Sequence, residues 1–276
     1  MIFETHTLNA PLDTYIESVF HYKDFMPDHS IERVVPTGHI FILFELDRIS
    51  RNTFDNETLE PNATFTKVWV SGMHKNYISI SAHPNSEMFV IQFKPFGAYP
   101  FFHFSIECLN EKIVPGEDLL DEELLNLREE VKVSKTSEEK FNAAESWLKS
   151  RFDESKAPSE EFLTILEKLQ SEPAAKLNGL AEHYPYTQKH LIDQFKKYVG
   201  LTPKYYNRIT RFNEILQNIQ RKEIIAWSQI AYQCGYSDQS HFIKEFNHFS
   251  GFNPEEYIAH DFHRGMPNFF PLDREG

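Results

Sequence analysis

The sequence predicts an α+β chain of two domains: an N-terminal β-barrel or sandwich with trailing helices, and an all-α C-terminal domain built as a double helix-turn-helix. Three observations carry this reading. Short apolar runs between turn residues fill the first hundred positions, the texture turns helical from Glu117, and the C-terminal half repeats itself at an offset of 50 to 51 positions. The 276 residues, 41% of them hydrophobic and 25% charged, hold enough apolar material for two cores, since a domain takes roughly 100–200 residues.

Residues 31–46 break at Pro36-Thr37-Gly38 and then run apolar on both faces, which reads as a turn followed by a buried strand. Further strand-like runs at 64–71, 76–82 and 87–94 are punctuated by Ser71-Gly72, His83-Pro84-Asn85 and Pro95-Phe96-Gly97. From Glu117, Leu120, Leu124, Leu127 and Val131 recur at helical spacing, and Phe141, Ala144 and Leu148 mark a second helix. Such apolar faces must cover something. The leucine stripe packs either on its own barrel or on a second copy, and a homodimer through the N-terminal half is expected, because linking two readers raises their effective concentration on paired sites. The polar stretch Asp153–Ser159 marks a border between domains at 1–155 and 160–262, with 263–276 as a tail.

In the C-terminal half, Ala181, Tyr186 and Thr187 recur as Ala231, Tyr236 and Ser237. Phe195, Gly200, Pro203 and Tyr206 recur as Phe246, Gly251, Pro254 and Tyr257. Chance does not give so many matches at one offset, so two copies of one helical unit are predicted. In each copy Leu180-Ala181 or Ile230-Ala231 ends a first helix, and a second begins at Thr187 or Ser237. Phe closes its buried face and Gly stops it in a left-handed conformation. Thr202-Pro203 and Asn253-Pro254 then cap the next helix. On the later second helix Phe242, Phe246 and Phe249 form one stripe and Ser240, Lys244 and Asn247 another, so one face is core and the other can meet a partner.

Charge separates the halves. Residues 1–160 carry 15 basic against 27 acidic side chains, whereas 161–276 carry 13 against 14. Within 189–222 the count is eight basic against two acidic. A basic stretch inside an acidic chain points to a polyanion partner, the bland alternative being a solvated helix face.

With these residues assembled, the segment from about Leu177 to Tyr257 resembles the AraC-type (AraC/XylS) DNA-binding domain. Its second-unit signature reads Ile230-Ala-x3-Gly235-Tyr-x-Asp238-Gln-Ser-x-Phe242-x3-Phe246-x4-Gly251-x2-Pro254-x2-Tyr257. The resemblance implies a bacterial, sequence-specific transcription regulator with double-stranded DNA as its partner, and RNA polymerase as another if it activates. It places Lys189, Ile192 and Asp193 of the first recognition helix, and Gln239, Ser240, His241 and Lys244 of the second, toward base edges. Lys196, Lys197 and the connecting-helix Arg208 and Arg211 are expected at phosphates. Three positions depart from the pattern: Pro185 stands where the first unit usually has Gly, Asp193 where Arg is common, and Ile258 where Arg usually follows the closing Tyr. The second unit is therefore expected to be the better reader.

The stretches Val35-Pro36-x-Gly38-x-Ile-x-Ile, Val70-Ser-Gly72 and Phe93-x-Pro95-x-Gly97-x-Tyr99 are similar to an uncharacterised cupin-like sensor domain that precedes some AraC-type domains, which implies a β-barrel followed by dimerising helices. If the barrel keeps a cavity, His39, Trp69, Gln92 and Lys94 are the candidate ligand-binding walls, since pockets fix orientation with a few polar groups among apolar ones. The alternative is a domain that binds a partner protein and no small ligand. A metal-dependent cupin enzyme fused to a DNA-binding domain is a weaker reading. Cys108 and Cys234 form no motif, and there is no His-x-His with a following Glu, His-Glu-x-x-His, phosphate loop or Gly-x-Ser-x-Gly elbow. No enzyme activity, catalytic residue, metal or cofactor is therefore expected. Nothing at the N-terminus reads as a signal segment, so a cytoplasmic, nucleoid-associated and membrane-free protein is expected.

Overall fold

The computed structural model describes residues 1–174, 179 and 184–274. Eleven strands are described in it: β1 (Ile2–His6), β2 (Ile16–Phe25), β3 (Ile31–Val34), β4 (Ile40–Glu45), β5 (Arg51–Phe54), β6 (Pro61–Phe65), β7 (Val68–Ser71), β8 (Ile78–Ser81), β9 (Ser86–Phe93), β10 (Ile113–Pro115) and β11 (Phe269–Pro271). They form two antiparallel sheets, ordered β1-β2-β9-β4-β7-β10 and β11-β3-β8-β5-β6. The turn at Pro36-Thr37-Gly38 separates β3 from β4 as its residues dictate. β1, β2, β3 and β5 were not anticipated, because they mix polar and apolar residues without a bounded apolar run, and β10 and β11 were not because each is only three residues long.

Side chains alternate along each strand, so register decides which residues share a face. On the six-stranded sheet Val19, Ile42, Phe44, Val70, Phe89 and Ile91 are fully buried on one face. Helices α1 (Tyr99–Phe102), α3 (Glu123–Val133) and α4 (Ser137–Arg151) cover it, Phe89 and Phe141 meeting at 5.6 Å between ring centroids and Phe93 and Phe101 at the same distance. A short α2 (Glu117–Leu120) precedes α3. Leu124, Leu127 and Val131 are buried in this core and Leu120 packs against it. Of the two partners open to it, its own barrel or a second copy, the stripe takes the first, because the sheet face needs a cover.

The opposite face carries Phe20, Tyr22, Phe41, Leu43, Trp69, Met88 and Val90. It looks toward the five-stranded sheet, whose matching face carries Val34, Arg51, Phe65, Ile78 and Ile80. At one end the two faces meet through Phe65 and Trp69, 6.0 Å apart between centroids, and through Arg51 and Glu45. Phe20, Phe41, Leu43, Ile78 and Ile80 remain half-buried.

The C-terminal helices are α5 (Glu160–Ser171), α6 (Gln188–Tyr198), α7 (Pro203–Ile219), α8 (Trp227–Gln233), α9 (Gln239–Ser250) and α10 (Pro254–Ala259). The Leu177 start of the resemblance and the expected helix end at Leu180-Ala181 lie outside the described residues. The caps follow the repeat: Thr187, Thr202 and Asn253 each accept a backbone N–H of the following turn. Gly200 and Gly251 stand at φ +83° and +77°, a conformation that a Cβ strains, which is why the motif ends on glycine. In the second unit the cap falls on Asp238 rather than Ser237, because the carboxylate reaches His241 N–H at 2.8 Å while Ser237 Oγ donates to that same carboxylate.

The tail is an element of the N-terminal sheet. β11 pairs antiparallel with β3, matching Phe269 to Val34 and Pro271 to Glu32. Asp273 accepts from the backbone N–H groups of Ser30 and Ile31. Arg33, opposite Phe270, crosses the domain border: its Nη1 donates to Ser250 O at 3.1 Å and its guanidinium lies 4.0 Å above the Tyr77 ring.

Candidate nucleic-acid interface

Helix α9 separates core from free surface along one helical period. Phe242, Phe246 and Phe249 are fully buried, Phe246 meeting Phe212 of α7 at 5.5 Å and Tyr257 at 5.3 Å. Gln239, Ser240, Lys244 and Asn247 are exposed on the other side. His241 is only half free, its ring edge-on to Tyr236 at 5.3 Å. Ile243, 38% exposed, was missed as a member of this surface. It lies four positions after Gln239 and three after Ser240, and that spacing is the signal that could have found it. Amide, hydroxyl and ammonium groups on such a face can bond base edges, and an apolar side chain can meet a thymine methyl.

In the first unit, α6 buries Leu191, Phe195 and Tyr198 and exposes Lys189 and Asp193, with Ile192 half-buried beside them. Its last turn does not face solvent alone. Lys196 Nζ pairs with Glu107 of the N-terminal half at 2.8 Å, a contact that raises the lysine pKa, and Lys197 Nζ lies 4.5 Å above Tyr99 and 4.8 Å above Tyr198. Both lysines, expected at phosphates, sit at the domain border, where acid and aromatic surface compete for them.

The connecting-helix arginines differ further from expectation. Arg208 makes a two-pronged pair with Glu245 of α9, Nε and Nη2 each 2.8 Å from a carboxylate oxygen, and its guanidinium stacks on Tyr205 at 4.4 Å. Burial would raise the Glu245 carboxyl, but the hydrogen bonds and charge of Arg208 outweigh it and hold that group below its usual range. Arg211 donates to Gly235 O at 3.3 Å and covers the Tyr236 ring at 4.7 Å. Both brace the second unit against α7. Planar guanidinium suits such bidentate and stacked roles. Where the second unit turns on Gly235 at φ +79°, the first has Pro185 exposed in its bend.

The four candidate ligand residues divide into two pairs. Trp69 and Gln92 lie on the inner face between the sheets, Trp69 Nε1 donating to the buried Glu45 Oε1 at 2.8 Å. Burial pushes the Glu45 carboxyl up to about 7 against the opposing pull of Arg51 and Trp69. His39 and Lys94 instead line a cavity of about 490 Å³ between the N-terminal half and α5. Elsewhere in the N-terminal half, the half-buried His74 holds Nε2 3.0 Å from Ser71 Oγ, and burial lowers its pKa to about 4. His103 reaches the Pro100 and Arg151 carbonyls. Among the described residues no group of three His, Cys, Asp or Glu side chains converges to hold a metal, and no helix is long and apolar enough to cross a membrane.

Residues 180–260 match the family described as a helix-turn-helix domain, and residues 5–115 match a domain of unknown function, DUF6597. An uncharacterised HTH-type transcriptional regulator of Bacillus subtilis, YbfI, is 25% identical over 252 residues, which span 86% of this chain and 90% of that one. The HTH-type transcriptional activator RhaS of Pectobacterium atrosepticum is 31% identical over 84 residues, 30% of each chain. Among solved structures, ToxT of Vibrio cholerae is similar at a TM-score of 0.46 and 13% identity, with 93% of this chain and 98% of that one covered. Another ToxT structure, with an unsaturated fatty acid bound, gives 0.43 at 13% identity over 87% and 93%. With the duplicated unit, its caps and its free polar face in place, residues 180–260 are an AraC-type helix-turn-helix domain, and the chain is a sequence-specific DNA-binding transcription regulator.

Proposed function

We propose that the second unit reads base edges through Gln239, Ser240 and Lys244, with Ile243 and Asn247 beside them, while the first unit sets orientation through Lys189, Asp193 and Ile192. The observation that carries this is the exposed polar face of α9 directly behind a stripe of fully buried phenylalanines. A helix anchored that firmly presents its outer side chains in fixed register to a major groove. Residues 160–262 form the reading domain in this proposal and 1–155 the sensing domain. The half-buried apolar faces between the two sheets, with Trp69 and Gln92 among them, are where a small effector would be enclosed. A second copy would be engaged on paired sites, and RNA polymerase at promoters the protein activates.

The test uses genomic fragments selected by the full-length protein as operator, and a scrambled duplex as control. Gln239→Ala loses about 1–3 kcal/mol on the operator and relaxes one base position, whereas Lys189→Ala weakens both duplexes alike and lowers the salt slope by about one. Equal loss on both duplexes for Gln239→Ala overturns the assignment of the reader.

A further inference from the structure

We propose that the cavity between the N-terminal half and α5 binds a small organic cation, an alkylamine or alkyldiamine. The inference goes beyond the effector site proposed between the two sheets and assigns a second site, at the domain border. The cavity, at about 490 Å³, lies within the size range of small-ligand sites. It is shared between the domains: Asp13, Glu17, His39 and Lys94 come from the N-terminal half, Glu167 and Gln170 from α5.

Hydrogen-bond chemistry sets the class of ligand. His39 Nδ1 lies 3.0 Å from the Phe93 carbonyl, which can only accept, so Nδ1 carries the proton and Nε2 is left as an acceptor. Burial, outweighing that carbonyl contact and Glu17, lowers the His39 pKa and keeps the ring neutral. Gln170 donates through Nε2 to the Tyr206 hydroxyl at 2.9 Å, which leaves its carbonyl oxygen free to accept. Three carboxylates complete the wall. Among the described lining residues the one cationic side chain, Lys94, already donates to the Asp13 backbone carbonyl at 2.8 Å. A site with this excess of acceptors and negative charge recognises N–H donors on a positive centre and repels a free carboxylate. Phe96 and Leu163 offer apolar surface for a short carbon chain. Because both domains supply acceptors, a bound cation joins the sheet end to the helix that leads into the reading domain.

The experiment titrates full-length protein at low salt with 1,5-diaminopentane, n-pentylammonium and pentanoate, followed by calorimetry and thermal unfolding. Either amine is expected to bind saturably and raise the unfolding midpoint, with pentanoate silent. Glu167→Gln and Glu17→Gln each weaken amine binding about tenfold, while Glu255→Gln, remote from the cavity, does not. Binding of pentanoate in preference to the amines, no binding of either amine, or equal amine binding by wild type and the Glu17→Gln, Glu167→Gln double variant overturns the proposal. Operator binding is measured in the same samples. Specific DNA binding without amine binding refutes this inference alone, whereas loss of specific DNA binding refutes the regulator reading beneath it.

Discussion

Replacing Phe270 with Ala tests whether the C-terminal tail is a structural part of the molecule. The ring is 1% exposed and sits in an aromatic cluster, 4.6 Å from Phe262, 5.4 Å from Tyr257 and 6.0 Å from Phe252 between centroids. Truncating a buried Phe to Ala costs about 3–5 kcal/mol through lost burial and the cavity left behind. Here β11 is a three-residue edge strand paired with β3 alone among the described strands, so it can peel away, and the loss cannot exceed the free energy of docking it. The lower end, about 3 kcal/mol, is therefore expected. Urea unfolding gives the global value. Hydrogen exchange gives the local one: the N–H of Leu272 donates to Ile31 O and that of Val35 to Asn268 O, so both amides should lose protection before the rest of β3. A midpoint shift worth less than about 0.5 kcal/mol, the usual scale of an inconsequential surface substitution, together with unchanged exchange at Leu272, refutes the reasoning.

Arg208→Ala strips Glu245 of its two-pronged partner in a largely buried setting. It should cost about 2–4 kcal/mol by urea unfolding and weaken operator and scrambled DNA only through that instability; a stable variant with lost DNA affinity would return Arg208 to the phosphate role. Glu45 is protonated in the fold up to about pH 7 but ionises near its ordinary value when unfolded, so it favours the native state below the unfolded pKa and that contribution disappears as pH rises through about 7. Glu45→Gln should flatten the stability profile between about pH 4.5 and 7, a window worth on the order of 3 kcal/mol, and an unchanged profile in unfolding curves at pH 5 and 7.5 speaks against a neutral buried carboxyl. Of the eight basic residues in 189–222, Lys189, Lys204, Arg221 and Lys222 are exposed, and with Lys244 they make five free cations. The slope of log affinity against log salt should then be about −4 to −5. A slope twice as steep means that Lys196, Lys197, Arg208 and Arg211 leave their partners for phosphate.

What sequence could and could not disclose follows from the range of the forces involved. The helical repeat was legible because capping, the left-handed glycine and the i, i+3, i+4 burial of Phe242, Phe246 and Phe249 are each settled within one or two turns of chain. Strands β4, β7, β8 and β9 were legible as bounded apolar runs. β11 was not, because Phe269-Phe270-Pro271 becomes a strand only against β3, more than 230 positions upstream. The division of the ligand candidates has the same origin: Trp69 and Gln92 lie within β7 and β9, while His39 and Lys94 each stand one residue outside β4 and β9, where the alternation that fixes a face no longer holds.

The basic residues make the sharpest case. Counting charges in 189–222 counts cations, but a cation serves DNA only where no nearer anion or aromatic ring holds it. Glu245 lies 37 positions beyond Arg208 and Glu107 lies 89 before Lys196, and no local pattern in the sequence marks either pairing. The consequence is functional. Arg208, drawn to Glu245, fixes the angle of α9 against α7, so the charge expected at a phosphate holds the helix proposed as the reader. Lys196 and Lys197 tie the end of α6 to the N-terminal half, and Arg33 ties the end of α9 to it through Ser250 O, so a change in that half bears on both helices.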